Sequence, residues 1–260
     1  MNRSLLLVAR RAAASSLQGT FSSAPATQSV RSFAADSPGL PDSVKRMGNA
    51  SQVPNEYPGQ VYAFNWALNA DGVTPLKKSA FRITKPLDLK VSGLDQPKTS
   101  PLKVNAAAAK SSVREAGTDE LSFESFDEVN QRTKDLLSLS DHLYCPEGHV
   151  PGTRIGVRVI TNSATLAPNL VGYLERAPKR DPPPAQTITA YVLEGTEEFF
   201  SGYAIEEIED KDGEAKSVAA VVVVSTNPTI ESIAAGIELS VEGLLADEEE
   251  RKKAEEEAAE

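Results

Sequence analysis

The stretch SVAAVVVVSTNPTIESIAAGIELSVEGLL, residues 217–245, joins an apolar run to an amphipathic segment and carries the clearest fold signal of the sequence. Residues 217–225 form a short, continuous, valine-rich run, which is typical of a strand buried on both faces. Asn227 and Pro228 follow as a helix start, with Asn227 as the N-cap and Pro228 at the first helical position. A buried strand that leads into a core-facing helix is a unit of α/β and α+β folds.

The predicted helix after Pro228 has one apolar face. Its apolar residues recur at helical spacing; they are Ile230, Ile233, Ala234, Ile237, Val241, Leu244 and Leu245. Gly236 and Gly243 lie in the same segment and lower its intrinsic helix propensity. We therefore expect the helix to depend on tertiary packing and the glycines to permit close approach to a neighbouring element.

Upstream of residue 217 the chain alternates further strands and helices. Residues 153–161 predict a half-buried strand, because Ile155, Val157 and Val159 alternate with polar or small residues. A helix is predicted from Ser125 to Leu139, because Ser125 and Glu128 form a capping box and apolar residues follow at helical spacing; these are Phe126, Val129, Thr133, Leu136 and Leu137. A short helix is predicted within 164–178, with Pro168 in its first turn. Strands are predicted at 187–193 and 199–208, and one or two short edge strands within 85–104. This order predicts an α/β or α+β class: a single small domain with a mixed sheet flanked by helices, an extended N-terminal arm and a long C-terminal helix.

The order of elements from 123 to 193 resembles that of the N-terminal domain of ATP-dependent phosphoenolpyruvate carboxykinase. In that family a helix precedes a D-x-L-[FY] strand, an R-I-x-V-R-V-I strand, a short helix that ends in an R-x-P-like turn, and another strand. The matching residues here are Asp141, Leu143 and Tyr144, then Arg154, Ile155, Val157, Arg158, Val159 and Ile160, then Arg176 and Pro178.

The same resemblance implies that the chemistry of the family is missing. The family places substrate contacts in a G-R-S-P-x-D-K loop ahead of the helix, whereas residues 106–117 read AAAAKSSVREAG. The sequence contains no G-x-x-x-x-G-K-[ST] phosphate loop, and the family's separate nucleotide-binding domain has no counterpart in it. The resemblance therefore implies a scaffold with no catalytic residues and no cofactor.

Both histidines and the only cysteine fall within residues 142–149. His142, Cys145 and His149 are metal-ligand types in H-x2-C-x3-H spacing, and Asp141 or Glu147 would have to complete a structural zinc site. The alternative is that these rare residues share a strand end and a loop by chance. We favour this alternative, and we find no partner that would activate Cys145 as a nucleophile.

Two arginines are candidate ligand contacts. Arg154 and Arg158 alternate onto one face of the predicted strand, where their guanidinium groups would grip a carboxylate or a phosphate. The alternative is that they form ion pairs with the acids of the chain, which outnumber its basic residues by 37 to 27. We favour the second interpretation.

The two ends of the chain differ in composition from its middle. Residues 1–33 are rich in arginine and serine and contain no acid, which is typical of a mitochondrial transit peptide. Residues 34–105 predict an extended arm with short strands, and residues 106–245 hold the α/β domain. Residues 246–260 predict a charged helical tail with i,i+4 pairs such as Glu248 with Lys252.

Charge and hydropathy exclude several classes of function. Removing the four arginines of the leader from 27 basic residues leaves 23 against 37 acidic ones, a net charge of −14. Such a chain lacks the basic surface that nucleic acid or an anionic lipid headgroup requires. No apolar stretch approaches the roughly 20 residues of a membrane-spanning helix, and a single cysteine excludes an internal disulfide.

These features predict a non-catalytic accessory subunit of a mitochondrial respiratory-chain assembly. We expect complex I (NADH:ubiquinone oxidoreductase) as the host and ATP synthase next, with a structural or assembly role in the matrix or on the matrix face of the inner membrane. Its partners would be other protein subunits. The alternative is a matrix enzyme or a carboxylate- or phosphate-binding protein related to the carboxykinases.

Overall fold

A computed structural model of the chain describes residue 68 and residues 71–75, 80–96, 102–176, 186–209 and 215–259. The strands are β1 (Ala80–Ile83), β2 (Arg114–Glu115), β3 (Leu143–His149), β4 (Gly156–Thr161), β5 (Thr187–Glu194), β6 (Phe200–Glu209) and β7 (Ala215–Ser225). The α-helices are α1 (Pro86–Val91), α2 (Phe123–Leu139), α3 (Leu166–Tyr173) and α4 (Ile230–Ala259), and short 3-10 turns lie at Ala106–Ala108 and Lys110–Ser112.

The strands form one mixed sheet in the order β1-β3-β4-β5-β7-β6-β2. The centre is parallel, because β4, β5 and β7 run in the same direction, and β3 and β6 pair antiparallel to β4 and β7. The predicted class, a mixed sheet flanked by helices with a long C-terminal helix, is thus confirmed.

Helices cover both faces of this sheet. On one face α3 and α4 enclose a core that includes Val159, Val221 and Ile237, and α1 packs beside α3. On the other face α2 covers a second core that includes Phe126, Ile160 and Val222. This double cover explains why β4 is buried along its whole length, where the alternation of its sequence predicted a half-buried strand.

The glycines of α4 sit where the helix approaches the sheet most closely. A Cβ atom built on Gly236 would lie 2.7 Å from Val221 Cγ1, and one built on Gly243 would collide with Ile205 Cδ1. The expectation of close approach is therefore confirmed. The apolar face is also as predicted, except that Leu245 is 46% exposed.

Two helix starts differ from their predictions. The helix α2 begins at Phe123, because the hydroxyl of Ser122 accepts the Ser125 amide at 3.2 Å, which places the cap three residues earlier than predicted. The helix α4 begins at Ile230, where the Thr229 hydroxyl accepts the Ser232 amide at 3.2 Å. Asn227 therefore lies in the preceding loop. Along α2, Phe126, Thr133 and Leu137 are buried, as their helical spacing predicted, whereas Leu136 is 37% exposed.

The segment 85–104 was predicted as edge strands and instead contains the helix α1. Pro86 occupies its first turn, where the missing N–H is not needed. Asp88 accepts hydrogen bonds at 3.0 Å from both the amide and the hydroxyl of Thr84, which fixes the entry of the chain. Since β1 also joins the sheet beside β3, the folded domain starts before residue 106. Most of the predicted arm, and the whole predicted transit peptide, lie outside the described residues.

The segment 102–113 lies against α4. The segment begins beside α3, where the Leu102 amide donates to the Gly172 carbonyl at 2.8 Å. It ends at β2, which forms one edge of the sheet. On the way Lys110 forms ion pairs with Glu238 at 3.3 Å and Glu242 at 2.7 Å. The first half of α4 is therefore held between the sheet and this segment, and Ala235 is fully buried.

Candidate functional site: a buried ion network on β1, β3 and β4

The metal-ligand candidates lie along one strand and not around one point. His142 is exposed and precedes β3, Cys145 is fully buried in its middle, and His149 ends it. With a rise of about 3.3 Å per residue, the two histidines are roughly 20 Å apart. In the described part of the chain, no group of three or more histidine, cysteine, aspartate or glutamate residues is placed to hold a metal ion.

Arg158 is the centre of a buried ion network. Its neighbour across the antiparallel β3–β4 pair is Glu147, and Arg158 Nε lies 3.0 Å from Glu147 Oε1. On the other side of the glutamate, Arg82 Nε lies 2.8 Å from Glu147 Oε2. All three side chains are at most 4% exposed, so the interaction takes place away from water. The glutamate is thereby shared between two arginines from β1 and β4.

Asp71 adds a second carboxylate to this network. Arg158 Nη1 lies 2.7 Å from Asp71 Oδ2, which attaches the segment 71–75 to the sheet. The Tyr191 hydroxyl donates to the Asp71 carbonyl at 3.2 Å, and the Thr74 amide donates to the Ser138 hydroxyl at 2.9 Å. Burial raises the pKa of the Asp71 carboxyl, and the positive charge of Arg158 opposes this effect.

Tyr191 lies between the network and α2. The Lys134 ammonium lies 4.7 Å from the centre of the Tyr191 ring, which is a cation–π contact. Burial, and then the charge of Asp71, raise the pKa of the Tyr191 hydroxyl far above its ordinary value. The hydroxyl is therefore neutral at physiological pH and serves as a hydrogen-bond donor.

The two candidate arginines are not brought together. Arg154 is exposed and precedes β4, which begins at Gly156. Arg158 is buried in the strand, with its guanidinium directed to Glu147 and Asp71. The two arginines therefore do not face one ligand together, and for Arg158 the structure shows the interpretation that the sequence favoured, pairing with acids of the chain itself.

The arrangement is suited to holding structure. Two guanidinium groups and two carboxylates balance in charge, and the bonds among them join β1, β3, β4 and the segment 71–75. Breaking such a pair leaves an uncompensated buried charge, which is strongly unfavourable. A substrate carboxylate or phosphate would have to displace Glu147 or Asp71 from Arg158.

Sequence reasoning identified Arg158 but not its partners. Glu147 follows Arg82 by 65 residues, and Asp71 precedes Arg158 by 87 residues. One signal was available: in LYCPEGH, Glu147 alternates with Leu143 and Cys145 on a single face. A carboxylate on an apolar strand face needs a buried cation beside it.

Comparisons with known proteins assign neither a family nor a function to the chain. No model of a known protein family matches the chain, and no curated protein matches it significantly. Among the described helices, none combines the length and apolar composition that crossing a membrane would require.

Proposed function

We propose that the chain is a non-catalytic accessory subunit of a mitochondrial respiratory-chain assembly, with complex I as the first host and ATP synthase as the next. One observation carries the non-catalytic part: Arg158, the buried candidate for substrate binding, is committed to Glu147 and Asp71. A side chain whose charge is already neutralised inside the protein serves cohesion of the domain. The alternative, a carboxylate- or phosphate-binding enzyme, would need this guanidinium accessible.

The mitochondrial part of the proposal is supported by the sequence. The arginine- and serine-rich, acid-free leader at residues 1–33 is what the import machinery recognises. The choice of host follows from the fact that small mitochondrial proteins without catalytic residues commonly join large assemblies. The role would be structural, on the matrix side, and its partners would be other protein subunits.

The relationship to the carboxykinase N-terminal domain is also a proposal. The order α2, β3, β4, α3, β5 is the order that the resemblance implies, which supports it. Of the two arginines matched to the second strand, only Arg158 lies in that strand, and here it serves the internal network. Under this proposal, a domain of that kind was retained for its stable sheet and recruited to a structural role.

The test is native electrophoresis of mitochondrial membranes solubilised with mild detergent, followed by mass spectrometry of each band. We expect the chain to co-migrate with one respiratory complex at constant stoichiometry. Removal of the chain should lower the amount of that complex and leave the others unchanged. Migration of the chain as a free species near the monomer mass, with every complex intact after its removal, would refute the proposal.

A measurement on the purified protein distinguishes the accessory subunit from the alternative, a carboxylate- or phosphate-binding protein. If the chain were a carboxylate- or phosphate-binding protein, added phosphate or dicarboxylates would raise its melting temperature by mass action. The matched control is Arg154→Gln, which changes the exposed arginine and leaves the buried network in place. We expect no stabilisation of either protein beyond the general effect of the salt.

A further inference from the structure

The outer edge of β6 has an unpaired stretch. Along its whole length β6 pairs with β7, from Phe200 opposite Val224 to Glu209 opposite Ala215. On its other side the pairing with β2 involves only Gly202 and Tyr203. In the part of the chain that the structure describes, no strand pairs with β6 at residues 204–208 on that side.

The backbone geometry shows which groups this edge presents. The Tyr203 carbonyl accepts the Ala116 amide at 2.9 Å, so Tyr203 directs its peptide groups outward. Successive residues of a strand alternate in this respect. Ile205 and Glu207 therefore direct their N–H and C=O groups to the same outer edge, in the spacing that an added strand needs.

A sharp turn after β2 ends its pairing with β6. Gly117 adopts φ +86°, a left-handed conformation that suits glycine, and a Cβ atom there would collide with the ring of Phe123. The Gly117 amide donates to the Leu121 carbonyl at 2.8 Å, which turns the chain back toward α2. The strand β2 therefore cannot continue along β6.

Four exposed acids lie around the edge. Glu206 and Glu207 are exposed on β6, and Asp119 and Glu120 are exposed in the turn that follows β2. Arg251 pairs with Glu207 at 2.9 Å, whereas Glu206 has no salt-bridge partner among the described residues. Ile208 adds an apolar side chain that is 45% exposed. The edge thus combines free backbone groups, negative charge and one apolar contact.

We propose that residues 204–208 of β6 bind an extended, basic segment of a partner protein as an additional strand of the sheet. This inference rests on the proposed function and specifies how the subunit attaches to its host. Charge complementarity selects the partner: a lysine or arginine beside Glu206 is attracted, and an apolar residue covers Ile208. A second copy of the chain does not fit, because pairing two β6 edges brings the same acids together.

The first experiment uses the full chain and a synthetic extended peptide whose one face carries a lysine to lie opposite Glu206 and, two residues away, a valine to lie opposite Ile208. Binding is followed by calorimetry, and amide hydrogen exchange is read by NMR. We expect the peptide to slow exchange of the Ile205 and Glu207 amides. A peptide with N-methyl groups on the amides that face β6 should not bind, because it cannot complete the ladder.

Charge variants provide the control. Glu206→Lys should weaken binding about tenfold, since a like charge then faces the peptide. Glu256→Lys makes the same change of charge on the exposed end of α4 and should leave binding unchanged. Equal binding by both variants, binding of the N-methylated peptide, protection at other amides, or no binding of the full chain would each overturn the proposal.

A second experiment identifies the occupant in the native assembly. An apolar photo-crosslinking residue replaces Ile208 in the full chain, which leaves the charge of Glu206 in place, and the cross-linked peptide is sequenced. A lysine- or arginine-rich extended segment of another subunit supports the proposal. A cross-link to residues 1–67 of the same chain, or to a second copy, overturns it.

The failure of this inference is distinguishable from that of the proposed function. If the chain co-migrates with a respiratory complex and Glu206→Lys incorporates as well as the original, the edge is only shielded by its acids and the subunit attaches elsewhere. If the chain is free in mitochondria but the peptide protects Ile205 and Glu207, the edge binds basic strands and the proposed host is wrong.

Discussion

Arg158 and Glu147 face each other directly across the antiparallel pair β3–β4, and the arginine Nε lies 3.0 Å from the glutamate oxygen. The same arginine reaches Asp71 at 2.7 Å, and the same glutamate reaches Arg82 at 2.8 Å. A single cross-strand pair therefore links two further charges, one from the sheet edge and one from the segment 71–75. The stability of this side of the sheet depends on that pair.

Arg158→Met should reduce the free energy of unfolding by about 3–5 kcal/mol, because Glu147 and Asp71 lose their shared cation while buried. Urea denaturation measures the change. The control is Arg132→Met, which breaks an exposed pair with Glu198 and should alter stability by about 1 kcal/mol or less. Equal effects of the two substitutions would show that the buried network contributes little.

Gly236→Ala and Gly243→Ala should differ although both introduce one methyl group into α4. The methyl group at position 236 meets Val221, a β-branched residue that is fully buried and stiff about χ1, so we expect a loss of about 1–3 kcal/mol. The methyl group at position 243 meets only the end of the Ile205 side chain, which is partly buried and can rotate. There the better helix propensity of alanine, worth about 1 kcal/mol, offsets the contact.

Thermal unfolding of both glycine variants, with matched circular dichroism at low temperature, measures the difference. A larger loss at position 243 than at position 236 would contradict the prediction. It would mean that Ile205 cannot move and that α4 is held more rigidly over β6 than over β7.

Thr229→Ala should destabilise the protein by about 1 kcal/mol, because the Thr229 hydroxyl caps α4 through the Ser232 amide. Asn227→Ala tests the cap that the sequence predicted and should have a much smaller effect, since Asn227 lies in the loop before the helix. The two variants are compared by their midpoints of denaturant unfolding, provided that the unfolding free energy depends on denaturant concentration with the same slope in both. The reverse order would place the start of α4 at Pro228.

Stability should fall steeply at alkaline pH. Burial, and then the nearby Glu238 carboxylate, raise the pKa of Tyr173 from 10.0 to about 12. Between these values the unfolded chain loses the phenolic proton and the folded chain keeps it, so rising pH favours unfolding. Tyr173→Phe removes this contribution and should flatten the dependence of stability on pH over that range. Parallel curves for the two proteins would contradict the assignment.

Much of the fold was predictable because the signals are local. The valine run of β7, the Pro168 turn of α3 and the apolar face of α4 each lie within a few neighbouring residues. The glycine contacts of α4 were predictable in kind, since glycine in an apolar helix face indicates close approach. What the sequence did not reveal was which strand residue each glycine meets.

The candidate site was less predictable because its partners are distant in the chain. The metal hypothesis assumed that nearness in sequence means nearness in space, and an extended strand separates His142 from His149. The arginine hypothesis placed Arg154 in the strand, whereas the strand starts two residues later. The helix α1 was not predicted, although a proline in the first turn, such as Pro86, is compatible with a helix.

The position of β7 has a consequence for the order in which the domain is completed. It lies between β5 and β6 although it follows both in the chain. During synthesis β6 therefore emerges before its principal neighbour exists. The segment 102–113 likewise lacks its packing partner until α4, which follows β7 in the chain, has been made. The sheet therefore cannot close until β7 has been made, and until then the apolar residues of the earlier strands are exposed to aggregation.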